Sequence, residues 1–191
     1  MEMDYATLLQ TASELHGGAC FGIQIGTRMA MSGLSRIGIS DPKGADKKKL
    51  IVFVEIDRCA TDSIMAITGC RPGKRTMKVL DHGKMAATFL NLETGKAFRV
   101  AASLKRKMGP PGSGAEDIDL GAIPEEELFS ITEVAVELRP EDLPGKPLRT
   151  CNCEVCGERV MDGREVLRGD EALCRTCFEQ KAYYRILEPS R

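Results

Sequence analysis

Two C-x-x-C pairs, Cys153/Cys156 and Cys174/Cys177, lie seventeen residues apart near the C-terminus. This spacing matches the four-thiolate structural zinc pattern. Each pair makes a tight turn that aims two sulfurs at one point, and Gly157 allows the positive φ such a turn uses. A segment this short cannot bury a core large enough to fold unaided, so the metal supplies most of its folding free energy. Four protein ligands fill a tetrahedral ion, which makes the expected zinc structural. Gly163 and Gly169 read as turns between short strands, and a helix is predicted over 178–187. Cys151 reads as a bystander close to the ligands.

Eight cysteines would also suit a disulfide framework in a secreted chain. The acidic start, Met1-Glu2-Met3-Asp4, lacks the apolar stretch of a signal peptide, and no apolar run is long enough to span a membrane. A reducing cytoplasm is therefore expected, where paired cysteines bind metal. The net charge is −1. From Thr150 onward there are seven Lys/Arg and eight Asp/Glu, leaving twenty of each before it. Neither part has the basic footprint of a nucleic-acid binder, so nucleic acid is not an expected partner.

The preceding chain reads as an α+β domain over 1–138, followed by a Pro-rich linker over 139–149 and the zinc-ribbon-like domain over 150–191. Helices are predicted over 4–15, 19–31 and 59–68, the last capped by Asp57 and ended by Gly69. Gly22 and Gly26 share a face of the second helix, a spacing for close packing. Strands are predicted over 50–56, 76–80, 84–91, 96–102 and 131–138, with Glu93-Thr94-Gly95 as a hairpin turn. They suit an antiparallel or mixed sheet packed with helices. Residues 105–114 read as a flexible loop, and 124–129 as a helical turn.

Three further cysteines stand at element ends. Cys20 and Cys59 start helices, where thiolate is favoured, and Cys70 follows the third helix. His16 and Cys20 are four apart, a metal-ligand spacing. His16, Cys20, Cys59 and Cys70 are thus candidates for a second metal site. Cys59 or Cys20 with His16 as base is the catalytic alternative, and burial as small apolar side chains is the plain one. The segment from Thr68 to Lys74 departs from a Walker phosphate loop. Lys74 and Lys84 remain candidate anion contacts.

The runs HGGACFGIQIGTRMA, DRCATDSIMAITGCRPGK and DHGKMAATF, with the four-cysteine tail, resemble the E-subunit family of formylmethanofuran dehydrogenase. The resemblance implies an α+β core with a C-terminal zinc module, often dimeric, associated with molybdenum or tungsten oxidoreductase subunits of one-carbon metabolism. It carries His16, Cys20, Cys59, Cys70, Gly73, Lys74, Asp81, Gly83 and Lys84 as signature positions. The family pattern has a second histidine where this chain has Gly18, and a proline where it has Phe21. The expected role is that of a zinc-binding accessory protein. The rivals are a stand-alone thiol- or metal-dependent enzyme and a zinc-finger regulator. The residues name no substrate or reaction.

Overall fold

The computed structural model describes residues 4–103 and 119–187. The chain divides into two compact units, Met1–Glu137 and Leu138–Arg191. The loop expected over 105–114 lies outside the described residues.

The first unit opens with α1 (Tyr5–His16), whose N-cap Asp4 accepts from the Thr7 backbone N–H. Gly17, at φ 92°, ends it. A glycine suits that left-handed position because it has no Cβ to clash. α2 runs from Phe21 to Arg36, five residues beyond the expected end at residue 31. The small residues Ser32 and Gly33 follow that expected end, yet both are buried in the helix. A Cβ on Gly33 would collide with the Phe89 ring, so that glycine serves close packing, not a break.

The sheet of this unit has five strands: β1 (Leu50–Val54), β2 (Met77–Val79), β3 (Ala86–Asn91), β4 (Ala97–Ala102) and β5 (Phe129–Glu133). Their order is β2-β1-β3-β4-β5. β2 runs parallel to β1, and the other neighbours are antiparallel. The parallel pair needs a crossover, supplied by α3 (Cys59–Thr68) and a 3-10 turn at Pro72–Lys74. Arg58, not Asp57, occupies the N-cap of α3, and no side chain caps it. Gly69 ends it as expected. β5 starts two residues before the strand predicted over 131–138, ends five residues short of its end, and follows the short α4 (Glu125–Leu128).

Alternation along the strands decides which face meets the helices. Leu50, Val52 and Val54 of β1, Ala87 and Phe89 of β3 and Val100 of β4 join Ile25, Met29 and Leu34 of α2 and Ile64 and Ile67 of α3 in one buried core. α2 and α3 thus pack on the sheet through their apolar faces.

The second unit holds two small hairpins, β6 (Thr150–Asn152) with β7 (Arg159–Met161) and β8 (Val166–Arg168) with β9 (Glu171–Leu173). α5 spans Arg175–Glu179. The helix expected over 178–187 is thus corrected: helix begins at the second cysteine pair and Gln180, in the left-handed region, ends it. Among the described residues no helix is long and apolar enough to cross a membrane.

Candidate metal centres

Three ends of helices meet in the first unit. His16 is the last residue of α1, Cys20 is the N-cap of α2, and Cys59 is the first residue of α3. One ring nitrogen of His16 and the sulfurs of Cys20 and Cys59 all lie within 4.8 Å of one another, each residue half-buried. This convergence depends on how closely α2 approaches α3. A Cβ on Gly22 would sit 2.9 Å from Cys59 Cβ, and one on Gly26 would sit 2.7 Å from Ala60 Cα. The paired glycines thus let the two backbones touch beside the thiols. The Ser63 hydroxyl donates to the Ile23 carbonyl (2.8 Å) and pins the same contact. Beneath it, Ala12, Ile23 and Ala66 form a small apolar cluster against which Leu9, Cys20 and Cys59 pack.

His16 has a partner that the sequence did not announce. Its Nδ1 lies 2.8 Å from Asp62 Oδ2. Asp62 stands three positions after Cys59 on α3, so both fall on one helix face. That spacing within the predicted helix was the available signal. The Cys59 thiol is not lowered as its helix-terminal position suggested. Burial pushes it up first, and a hydrogen bond with Cys20 adds to the rise. A second sulfur this close disfavours a thiolate at Cys59.

The structure does not bring Cys70 to this group. Its side chain is 3% exposed and belongs to the main core, with Sγ 3.9 Å from the Leu50 carbonyl oxygen. Burial raises its thiol, opposed by hydrogen bonds with Thr68 and Thr76 and then by the Lys74 charge. Lys74 and Lys84 are both exposed. Lys84 and His82 border the Glu55 carboxylate, which Arg99 grips with Nε on Oε1 (2.6 Å) and Nη2 on Oε2 (2.8 Å).

In the second unit Cys153, Cys156, Cys174 and Cys177 converge, all sulfurs within 4.8 Å of one another. Cys156 and Cys174 sulfurs are 3.9 Å apart. Metal–sulfur bonds of about 2.3 Å in a tetrahedron space sulfurs by about 3.8 Å, so this set has the size to hold an ion. Gly157, at φ 73°, closes the first knuckle and donates to the Cys153 carbonyl (2.8 Å). The Cys177 backbone N–H points at Cys174 Sγ (3.4 Å). Backbone N–H groups of Cys156, then Cys174, draw the Cys153 thiol down to about 6. The neighbouring thiols, Cys174 foremost, push Cys177 up to about 12. A metal ion binds such sulfurs in their deprotonated form. The first knuckle is tied to β9 by Glu154 N–H donating to the Ala172 carbonyl (3.0 Å). Cys151, on β6, stands outside the set of four; burial and the Glu165 charge raise its thiol.

The model of the family described as FmdE, molybdenum formylmethanofuran dehydrogenase operon, matches residues 15–130. The chain belongs to the FmdE family. The matched stretch includes His16, Cys20, Cys59 and Asp62, and it ends before the four-cysteine set. A solved protein from Syntrophus aciditrophicus, described as FmdE-like and of the tungsten formylmethanofuran dehydrogenase type, superposes with a TM-score of 0.57. The two are 21% identical, and the match covers 95% of this chain and 96% of that one. This likeness shows the shared fold. A protein of Archaeoglobus fulgidus, named "Probable S-adenosyl-L-methionine-binding protein", is 26% identical over 204 residues. The match covers 94% of this FmdE chain and 54% of that protein, so the chain spans about half the length of this curated relative.

Proposed function

We propose that this FmdE protein is a zinc-binding accessory, subunit-like partner of molybdenum or tungsten formylmethanofuran dehydrogenase-type enzymes. The observation that carries the reading is the meeting of His16, Cys20 and Cys59 inside the family-matched residues. One imidazole and two thiols suit zinc, and three protein ligands leave a fourth position open. A zinc ion held by these three residues would supply Lewis acidity at its open position. The chain's own part is to gather the ligands at three helix ends and to keep one side of the group dry. The four cysteines of the second unit have the donor set of a closed, structural zinc site.

An oxidoreductase partner, a homodimer and a cytoplasmic location belong to the same proposal, in keeping with the family and the paired free thiols. Affinity purification of the chain from its own cells tests it. A molybdenum or tungsten oxidoreductase should co-purify, and the chain alone should turn nothing over. Recovery of the chain without any such enzyme would count against it.

One observation favours a second reading, a stand-alone enzyme. The His16–Asp62 pair beside two thiols has the parts of an activated nucleophile. On that reading Cys59→Ser or Cys20→Ser abolishes turnover by the isolated protein, and the absence of turnover in a substrate screen removes it. The name of the Archaeoglobus relative belongs to a longer protein and assigns no site to this chain.

A further inference from the structure

We infer that Asp62 is the positioning residue of the core metal centre, fixing which nitrogen of His16 faces the metal. The inference rests on the proposal that His16, Cys20 and Cys59 form that centre.

The geometry is specific. Asp62 Oδ2 lies 2.8 Å from His16 Nδ1. An ionised carboxylate only accepts hydrogen bonds, so the ring hydrogen sits on Nδ1 and the Nε2 lone pair is left for a ligand. Metal-bound histidines commonly donate their other N–H to a carboxylate in this way, which sets the ring's orientation and raises its basicity. The sequence distance makes the contact informative. His16 and Asp62 are 46 residues apart, on different helices, and the bond crosses the α1–α3 contact next to Cys59. The same helix turn therefore supplies a ligand, Cys59, and the residue that aims a second ligand. His16 ends α1 and is followed by Gly17 and Gly18, which bring no side chains to hold its ring. Asp62 is the described partner that holds it. The Asp62 side chain is 41% exposed, so replacing it leaves no buried cavity or orphaned charge.

The test starts from the metal-free full chain and titrates zinc against a competing chelator. Wild-type protein should take two equivalents. Asp62→Asn should weaken the core equivalent by about ten- to a hundred-fold and leave the four-cysteine equivalent unchanged. In a His16→Ala background, Asp62→Asn should change the remaining affinity no further. Nitrogen-15 spectra of the zinc-loaded wild type need no variant. The chain has two histidines, so His82 serves as the internal reference. His16 should be bound through Nε2 and protonated on Nδ1. A ring bound through Nδ1, or unchanged affinity in Asp62→Asn with two zinc ions bound, overturns the positioning role and leaves the metal centre standing. Uptake of a single equivalent by the wild type overturns both.

Discussion

A Cβ built on Gly26 meets Ala60 Cα and its carbonyl oxygen, both at 2.7 Å, and Ser63 Cβ at 2.8 Å. Backbone atoms cannot swing aside, so α2 and α3 must part to admit a methyl group. Gly26→Ala gains about 1 kcal/mol of helix propensity but incurs an overpacking cost of about 1–3 kcal/mol. The expected outcome is a net loss of stability, read as a lower urea midpoint, together with weaker metal binding at Cys59. A second residue-scale prediction concerns Glu55. The Arg99 guanidinium holds its carboxyl below the ordinary value of 4.5, against the opposing effect of burial. A depressed carboxyl adds stability above its unfolded pKa and loses it as pH falls through the folded value. Glu55→Gln should therefore be less stable than wild type at neutral pH, with the gap closing once the pH drops below about 4. Urea melts across that range check it, and a gap that widens toward acid would contradict it. Among single residues, the meeting of the four tail cysteines was legible because C-x-x-C spacing is local. His16, Cys20 and Cys59 were legible as helix-end residues. Asp62 was not, because its partner comes from a different helix. Cys70 was misplaced because a thiol at an element end reads the same whether it faces a site or a core.

Elements follow the same division. Strands β1, β3 and β4 and helices α1 and α3 lie close to their sequence-based positions, since apolar runs and glycine stops report directly on them. α2 overran its predicted end because Gly33 sits against Phe89, a contact that exists only in the folded sheet. The C-terminal helix was misread for the opposite reason. Tyr183, Tyr184, Ile186 and Leu187 carry an apolar pattern but are exposed, and α5 is instead anchored at Cys174, which accepts from the Cys177 N–H. The hairpins β6–β7 and β8–β9 have three residues per strand and few buried apolar side chains. On the proposed reading, elements that short depend on an ion held by the four cysteines. Chelation should remove hydrogen-exchange protection from β6 to α5, leaving β1, β3 and β4 protected. Loss of protection in both groups at the same chelator concentration would show that the core does not stand without the tail's ion.

At the scale of the molecule, two units carry two different kinds of candidate centre. On the proposed reading the four-cysteine set uses all four thiolates on one ion and serves folding. The His16–Cys20–Cys59 group offers three ligands from helices that are held without metal by an apolar core. Cys20→Ser and Cys59→Ser should accordingly lose only the stabilisation that a bound ion adds and leave the first unit folded, whereas Cys156→Ser should unfold the second unit. The most direct test is the zinc content of the intact purified chain, by elemental analysis or native mass spectrometry, beside that of Cys59→Ser. Two ions per wild-type chain and one in the variant are expected. One ion in both would leave the core without a metal centre and the proposed role without its site.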